Sequence, residues 1–134
     1  MVLVYYQNVN RIRSKTRDFY LSILNSNFDI ICLTETNLNN SVFDAELFDD
    51  RYNVVRRDRY ESNLKKTEGG GVLIALKKHI NFIRQSSWNS EVEDLWISIL
   101  PNCNNTKTLN ICVCYLPPDL PLECIRKFYD NCQK

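Results

Sequence analysis

The order in which the chain opens constrains its fold more than any other feature. Residues 2–8 (VLVYYQN) are β-branched and aromatic up to a polar end, the pattern of a buried strand that starts almost at the first residue. From Ser14 to about Ser26, Phe19, Tyr20, Ile23 and Leu24 recur at three- and four-residue spacing, which predicts an amphipathic helix capped by Ser14. After the turn-like Asn25-Ser26-Asn27, the run Asp29-Ile30-Ile31-Cys32-Leu33 is continuously apolar, as expected of a strand covered on both faces. Strands joined through a helix usually lie parallel, so the C-terminal ends of these two should emerge on one edge of a sheet. Those ends carry Asn8 and Glu35.

The rest of the chain reads as strand-rich. A short helix is expected around residues 43–48 and a strand over 52–56, with a mobile charged loop over 60–68. Gly69-Gly70-Gly71 leads into a strand over 72–76, and further strand-like runs follow near 80–85, 94–100 and 109–115. Pro117 and Pro118 end the last of these, and a helix from Pro121 to about Asn131 should bury Leu122, Ile125 and Phe128 with Tyr129. No repeat, low-complexity tract or linker divides the chain, so residues 1–134 read as one α/β domain.

With 134 residues and 44% apolar content the chain is large enough to bury a core. Its 17 basic and 16 acidic residues give a net charge of +1, so attraction to a polyanion must come from local clusters. Two exist, Arg11 with Arg13, and Arg57-Asp58-Arg59. Guanidinium forks match phosphate oxygens, which makes the four arginines candidate nucleic-acid contacts; the alternative is a salt-bridged strand edge with Asp58 neutralising its neighbours.

Six cysteines occur without a secretory leader, which predicts an intracellular protein, cytoplasmic or nuclear, with reduced thiols. Cys112 and Cys114 should share one strand face as hydrophobes and remain unpaired with each other, lying about 7 Å apart along the strand. The absence of C-x-x-C and a single histidine, His79, argue against structural zinc. No apolar run approaches the roughly 18 residues of a membrane span. The glycine triplet lacks the G-x-x-x-x-G-K pattern of a phosphate cradle, so its expected work is structural, a tight approach or positive φ at the sheet.

Four segments in order, YYQNVNRIRSK (5–15), DIICLTETNLN (29–39), YNVVRRDR (52–59) with GGGVLIALKK (69–78), and VCYLPP (113–118), together resemble the endonuclease domain of jockey-like non-LTR retrotransposons. Such a resemblance implies membership of the endonuclease/exonuclease/phosphatase superfamily, with abasic-site endonucleases and deoxyribonuclease I. The resemblance implies a two-sheet α/β sandwich that hydrolyses DNA phosphodiesters with a divalent metal, normally magnesium, in a mobile element that also encodes a reverse transcriptase.

Residue by residue, Asn8 matches the asparagine that ends the first strand and orients the phosphate and a catalytic aspartate. Read by itself, it is a strand-end asparagine satisfying its own turn. Glu35 matches the metal-binding glutamate, and one carboxylate at a cleft mouth suffices for a cation that keeps several waters. Tyr115 matches a tyrosine near the scissile phosphate, the alternative being a half-buried packing residue with a wet hydroxyl. Two positions depart from the pattern: Asn37 stands where tryptophan is common, and Arg11-Ile12 where a glycine is common.

The family's Gly-Asp-x-Asn and Ser-Asp-His motifs do not occur in these 134 residues, and His79, followed by Ile80, is no substitute. The resemblance therefore implies the N-terminal part of a metal-dependent endonuclease, lacking the C-terminal portion of its sandwich and inactive alone. A sheet face left uncovered would invite aggregation or pairing. The alternative is a non-catalytic, nucleic-acid-binding remnant that keeps Arg11, Arg13, Arg57 and Arg59.

Overall fold

Residues 30–34 are buried without exception as β2 (Ile30–Thr34), because a sheet neighbour flanks each edge and a core lies against each face. The computed structural model describes residues 2–59, 70–101, 107–116 and 120–133. Around β2 stand β1 (Val4–Asn8), β4 (Val72–Lys77) and β3 (Tyr52–Arg57), in the sheet order β1-β2-β4-β3. A second sheet has the order β5 (Phe82–Arg84), β6 (Glu93–Ile99), β7 (Leu109–Tyr115). β1 and β2 run parallel, with Val4 opposite Ile30 and Asn8 opposite Thr34; the other pairings are antiparallel.

Strand alternation divides the interior into two cores. Ile31, Leu33, Leu73 and Ala75 face α1 (Thr16–Leu24), whose Ile23 joins Ile12, Leu47, Phe48 and Tyr52 there. Ile30, Cys32, Val72, Ile74 and Leu76 face the second sheet and pack on Leu95, Ile97 and Val113. This is a two-sheet α/β sandwich, with α2 (Leu122–Cys132) near Trp88 and Trp96 through Asn131. No helix among the described residues is long and apolar enough to cross a membrane.

Four expectations are corrected. The first strand is not buried: it forms the sheet edge, and Val2, Val4 and Tyr6 are 60%, 56% and 59% exposed. β7 lies over β2, and among the described residues no strand continues the second sheet over β1. Ser14 does not cap α1, because it is taken up in a 3-10 turn (Ile12–Ser14), and Lys15 precedes the helix with no side-chain cap. Residues 43–48 form only a short 3-10 turn (Asp44–Glu46), although Leu47 and Phe48 are buried behind it. In α2 Phe128 is buried, but Leu122 and Tyr129 point to solvent. The charged loop over 60–68, and the prolines 117 and 118, lie outside the described residues.

The end of α1 is closed by a residue far along the chain. Arg51 donates from Nη1 to the Ser26 carbonyl (3.0 Å) and from Nη2 to that of Ile23 (2.9 Å), while Asp49 holds the guanidinium from its other side. The Ile23 carbonyl in the last turn, which already accepts the Ser26 amide and hydroxyl, thus acquires a cationic donor as well.

Candidate functional site

The parallel register of β1 and β2 releases both chains at the same end of the sandwich, and their loops continue the ladder. Val9 N donates to Thr34 O (3.0 Å), Arg11 N to Glu35 O (2.7 Å) and Ile12 N to Thr36 O (3.0 Å). From the other side, Thr36 N donates to Gly71 O (3.3 Å) and Asn37 N to Gly70 O (2.6 Å). Glu35 is therefore held between the loop after β1 and the turn that enters β4.

This stitching distorts the backbone. The non-glycine residues with positive φ among those described are Asn10 (46°), Arg11 (67°), Glu35 (54°) and Asn37 (55°), all in these two loops. Left-handed backbone is unfavourable for most side chains and persists where surrounding contacts impose it, often at functional sites. Arg11 is the costlier case, since glycine would adopt its φ without steric cost and arginine does not. Asn37 is the milder case, since asparagine tolerates the left-handed region.

Asn8, the last residue of β1, is exposed, and its Oδ1 accepts the backbone N–H of Asn10 at 3.1 Å. That bond is the local turn expected of a strand-end asparagine, and it fixes the amide beside the Glu35 loop. Tyr115 ends β7 and lies opposite Glu93 of β6. The nearby Glu35 carboxylate, together with burial, raises the phenol above its ordinary pKa. Asn8 and the Glu35 loop leave adjacent parallel strands at the same end, and Tyr115 lies within electrostatic reach of Glu35.

The arginines divide differently from what their sequence spacing suggests. Arg11 and Arg13 are exposed, on and after the loop that touches Glu35. Arg59 is buried, and its Nε and Nη2 donate to Glu93 Oε1 (3.0 Å) and Oε2 (3.1 Å). The Glu93 carboxylate raises the Arg59 pKa, and Tyr115 and Glu35 lie within its electrostatic reach. Arg57 is also buried: its Nη1 reaches Asp94 Oδ1 (2.6 Å) and the carbonyls of Val92 and Asp94 (both 2.9 Å), and its Nη2 that of Ser90 (3.0 Å). Arg57 and Arg59 are thus met by carboxylates from β6, which the stacking of the sheets brings to them, and Asp58 pairs with Arg56 at 3.2 Å.

Glu93 and Asp94 are not singled out by the sequence pattern, in which residues 94–100 read simply as a strand-like run. A signal was present, since two carboxylates entering a buried strand need cationic partners, and Arg57 and Arg59 match their spacing to within a residue.

Among the described residues, no three His, Cys, Asp or Glu side chains gather as a ready-made metal cage. The donor chemistry still fits a hard cation, because Glu35 offers one carboxylate, and magnesium is held by one or two carboxylates with waters.

No family model and no curated protein matches the sequence. Among solved structures, the chain is similar to the "Endonuclease domain of TRAS1, a telomere-specific non-LTR retrotransposon", at a TM-score of 0.67 and 12% identity over 99% of this chain. The match covers 52% of the TRAS1 chain, so the present sequence spans about half that length. At such low identity the shared property is the arrangement of strands and helices. The chain thus has the fold of a non-LTR retrotransposon endonuclease domain, over about half of the TRAS1 chain's length.

Proposed function

We propose that this chain supplies the N-terminal part of the active site of a magnesium-dependent DNA endonuclease of mobile-element type. The observation that carries the reading is that β1 and β2 end together at Asn8 and Thr34, with Glu35 next in left-handed backbone and its carboxylate within electrostatic reach of Tyr115. Glu35 anchors the metal, which when bound supplies charge stabilisation to the phosphate. Asn8 and Tyr115 orient the phosphate from either side of Glu35. Arg11 and Arg13, exposed beside them, hold the DNA backbone without reading its sequence. Arg59 contributes positive potential from behind, offset by Glu93, and Arg57 braces the two sheets.

These residues position a phosphate, but hydrolysis also needs an aligned water and a group to take its proton. Neither Gly-Asp-x-Asn nor Ser-Asp-His occurs in the 134 residues, so the chain alone is expected to be catalytically incompetent. General acid–base assistance is typically worth roughly 10²–10⁴-fold and preorganised charge usually more, so their loss should leave no measurable cleavage.

The test compares wild type with Glu35→Ala in two assays. Manganese titrated against the protein by electron paramagnetic resonance should bind wild type and not the variant. Nicking of supercoiled or abasic DNA with magnesium or manganese should be indistinguishable between them. Equal manganese binding would remove Glu35 from the metal site, and Glu35-dependent nicking would show that a proton acceptor exists within these residues. The alternative, a non-catalytic DNA-binding remnant, is favoured by the exposure of Arg11 and Arg13 and weakened by the burial of Arg57 and Arg59. Steeply salt-dependent DNA binding without any manganese site would decide for it.

A further inference from the structure

Glu35 owes its conformation to a turn that is gripped from behind. Gly70 and Gly71 accept the amides of Asn37 (2.6 Å) and Thr36 (3.3 Å), the two residues that follow Glu35. The amide of Gly71 in turn donates to Glu93 Oε1 at 2.8 Å. The same carboxylate takes the fork of Arg59 at 3.0 and 3.1 Å. Glu93 is 2% exposed and Arg59 8%.

Contact between turn and ion pair is close. A Cβ added at Gly70 would lie 2.1 Å from Glu93 Oε1 and 2.2 Å from Arg59 Nε, and Gly70 and Gly71 hold φ of +59° and +94°. The turn can approach the pair only as glycine. A buried ion pair contributes little net stability compared with a well-packed apolar replacement, whereas a carboxylate bonded at both oxygens has a defined direction.

We propose that the Glu93–Arg59 pair is a positioning device that, through the Gly70–Gly71 turn, imposes the left-handed backbone of Glu35 and so fixes the direction in which its side chain leaves the loop. The conformational part stands on the hydrogen bonds alone; its consequence for metal binding rests on the function proposed above. Neither residue needs to touch substrate. Outer partners that orient a ligand typically change metal affinity by 10–100-fold when removed.

The experiment is amide hydrogen exchange by NMR on the whole chain, followed by manganese titration. In wild type, the amides of Thr36, Asn37 and Gly71 should be protected; exchange at unstructured rates would overturn the proposal. In Glu93→Gln, which keeps the volume and loses the charge, Thr36 and Asn37 should exchange roughly tenfold faster or more, while the β6–β7 ladder changes by less than about twofold. Gly70→Ala keeps both charges but drives a methyl group into the pair, and should produce the same local pattern if Glu93→Gln does not fold. Uniform acceleration through the ladder would reduce the pair to a general strut, and unchanged Thr36 and Asn37 would break the link; both outcomes overturn the proposal. Manganese affinity should fall by roughly 10–100-fold in Glu93→Gln. Local loosening in a protein that binds no manganese at all would uphold the positioning role and refute the metal reading.

Discussion

Arg57, at the end of β3, lies 2.6 Å from the carboxylate of Asp94 in β6, and this bond ties the first sheet to the second at the end where Glu35 sits. Removing one partner from a buried pair leaves an uncompensated charge, which typically costs about 3–5 kcal/mol. Arg57→Ala should therefore lower stability to urea by that order while leaving DNA affinity per folded molecule unchanged. A variant with wild-type stability and weakened DNA binding would return Arg57 to the phosphate-contacting set.

Arg11 makes the opposite prediction. Its φ of 67° carries a steric cost that glycine does not have, so Arg11→Gly should raise stability by about 1 kcal/mol in urea unfolding. The same change removes an exposed cation, and DNA binding should weaken and lose salt dependence. A destabilised variant would mean that the arginine side chain supports the loop.

Acid should release the closure of α1. The Arg51 hydrogen bond holds the Asp49 carboxyl below its ordinary pKa. A carboxylate lowered on folding adds stability above its unfolded pKa and loses it as pH falls through the folded value. Asp49→Asn should cost about 1 kcal/mol near neutral pH, and the gap to wild type should close as pH falls through and below the ordinary carboxylate range. A gap independent of pH would assign the effect to packing.

Burial pushes the Cys32 thiol up to about 11, so almost none of it is thiolate at mildly alkaline pH. Alkylation around pH 8 should spare Cys32 and modify the exposed Cys132 first, with Cys32 reacting once urea unfolds the chain. Mass spectrometry of modified peptides reads the order. The same experiment counts free thiols, and finding none would overturn the expected reduced state.

Val2, Val4 and Tyr6 present an apolar edge that the described strands do not cover. Light scattering should show an apparent mass that grows with concentration, and Val4→Lys should suppress the growth without lowering the unfolding temperature, because an edge charge blocks strand pairing. A concentration-independent monomer would remove this edge as a site of association.

Local pattern carried much of the architecture. The apolar run over residues 29–33 specified a strand covered on both faces, and the helical spacing of Phe19, Ile23 and Leu24 between two strands specified a crossover. That crossover alone implied that Asn8 and Glu35 share an edge, since parallel strands release their ends together. What sequence by itself could not determine depends on partners distant in the chain. Arg57 finds Asp94 at a separation of 37 residues and Arg59 finds Glu93 at 34, and only the stacking of one sheet on the other brings them together. The exposure of β1 follows from where the second sheet ends, and the left-handed turn at Glu35 from hydrogen bonds that three separate loops supply at once. Periodicity records which face of an element is apolar; the tertiary structure decides what that face and its charges meet.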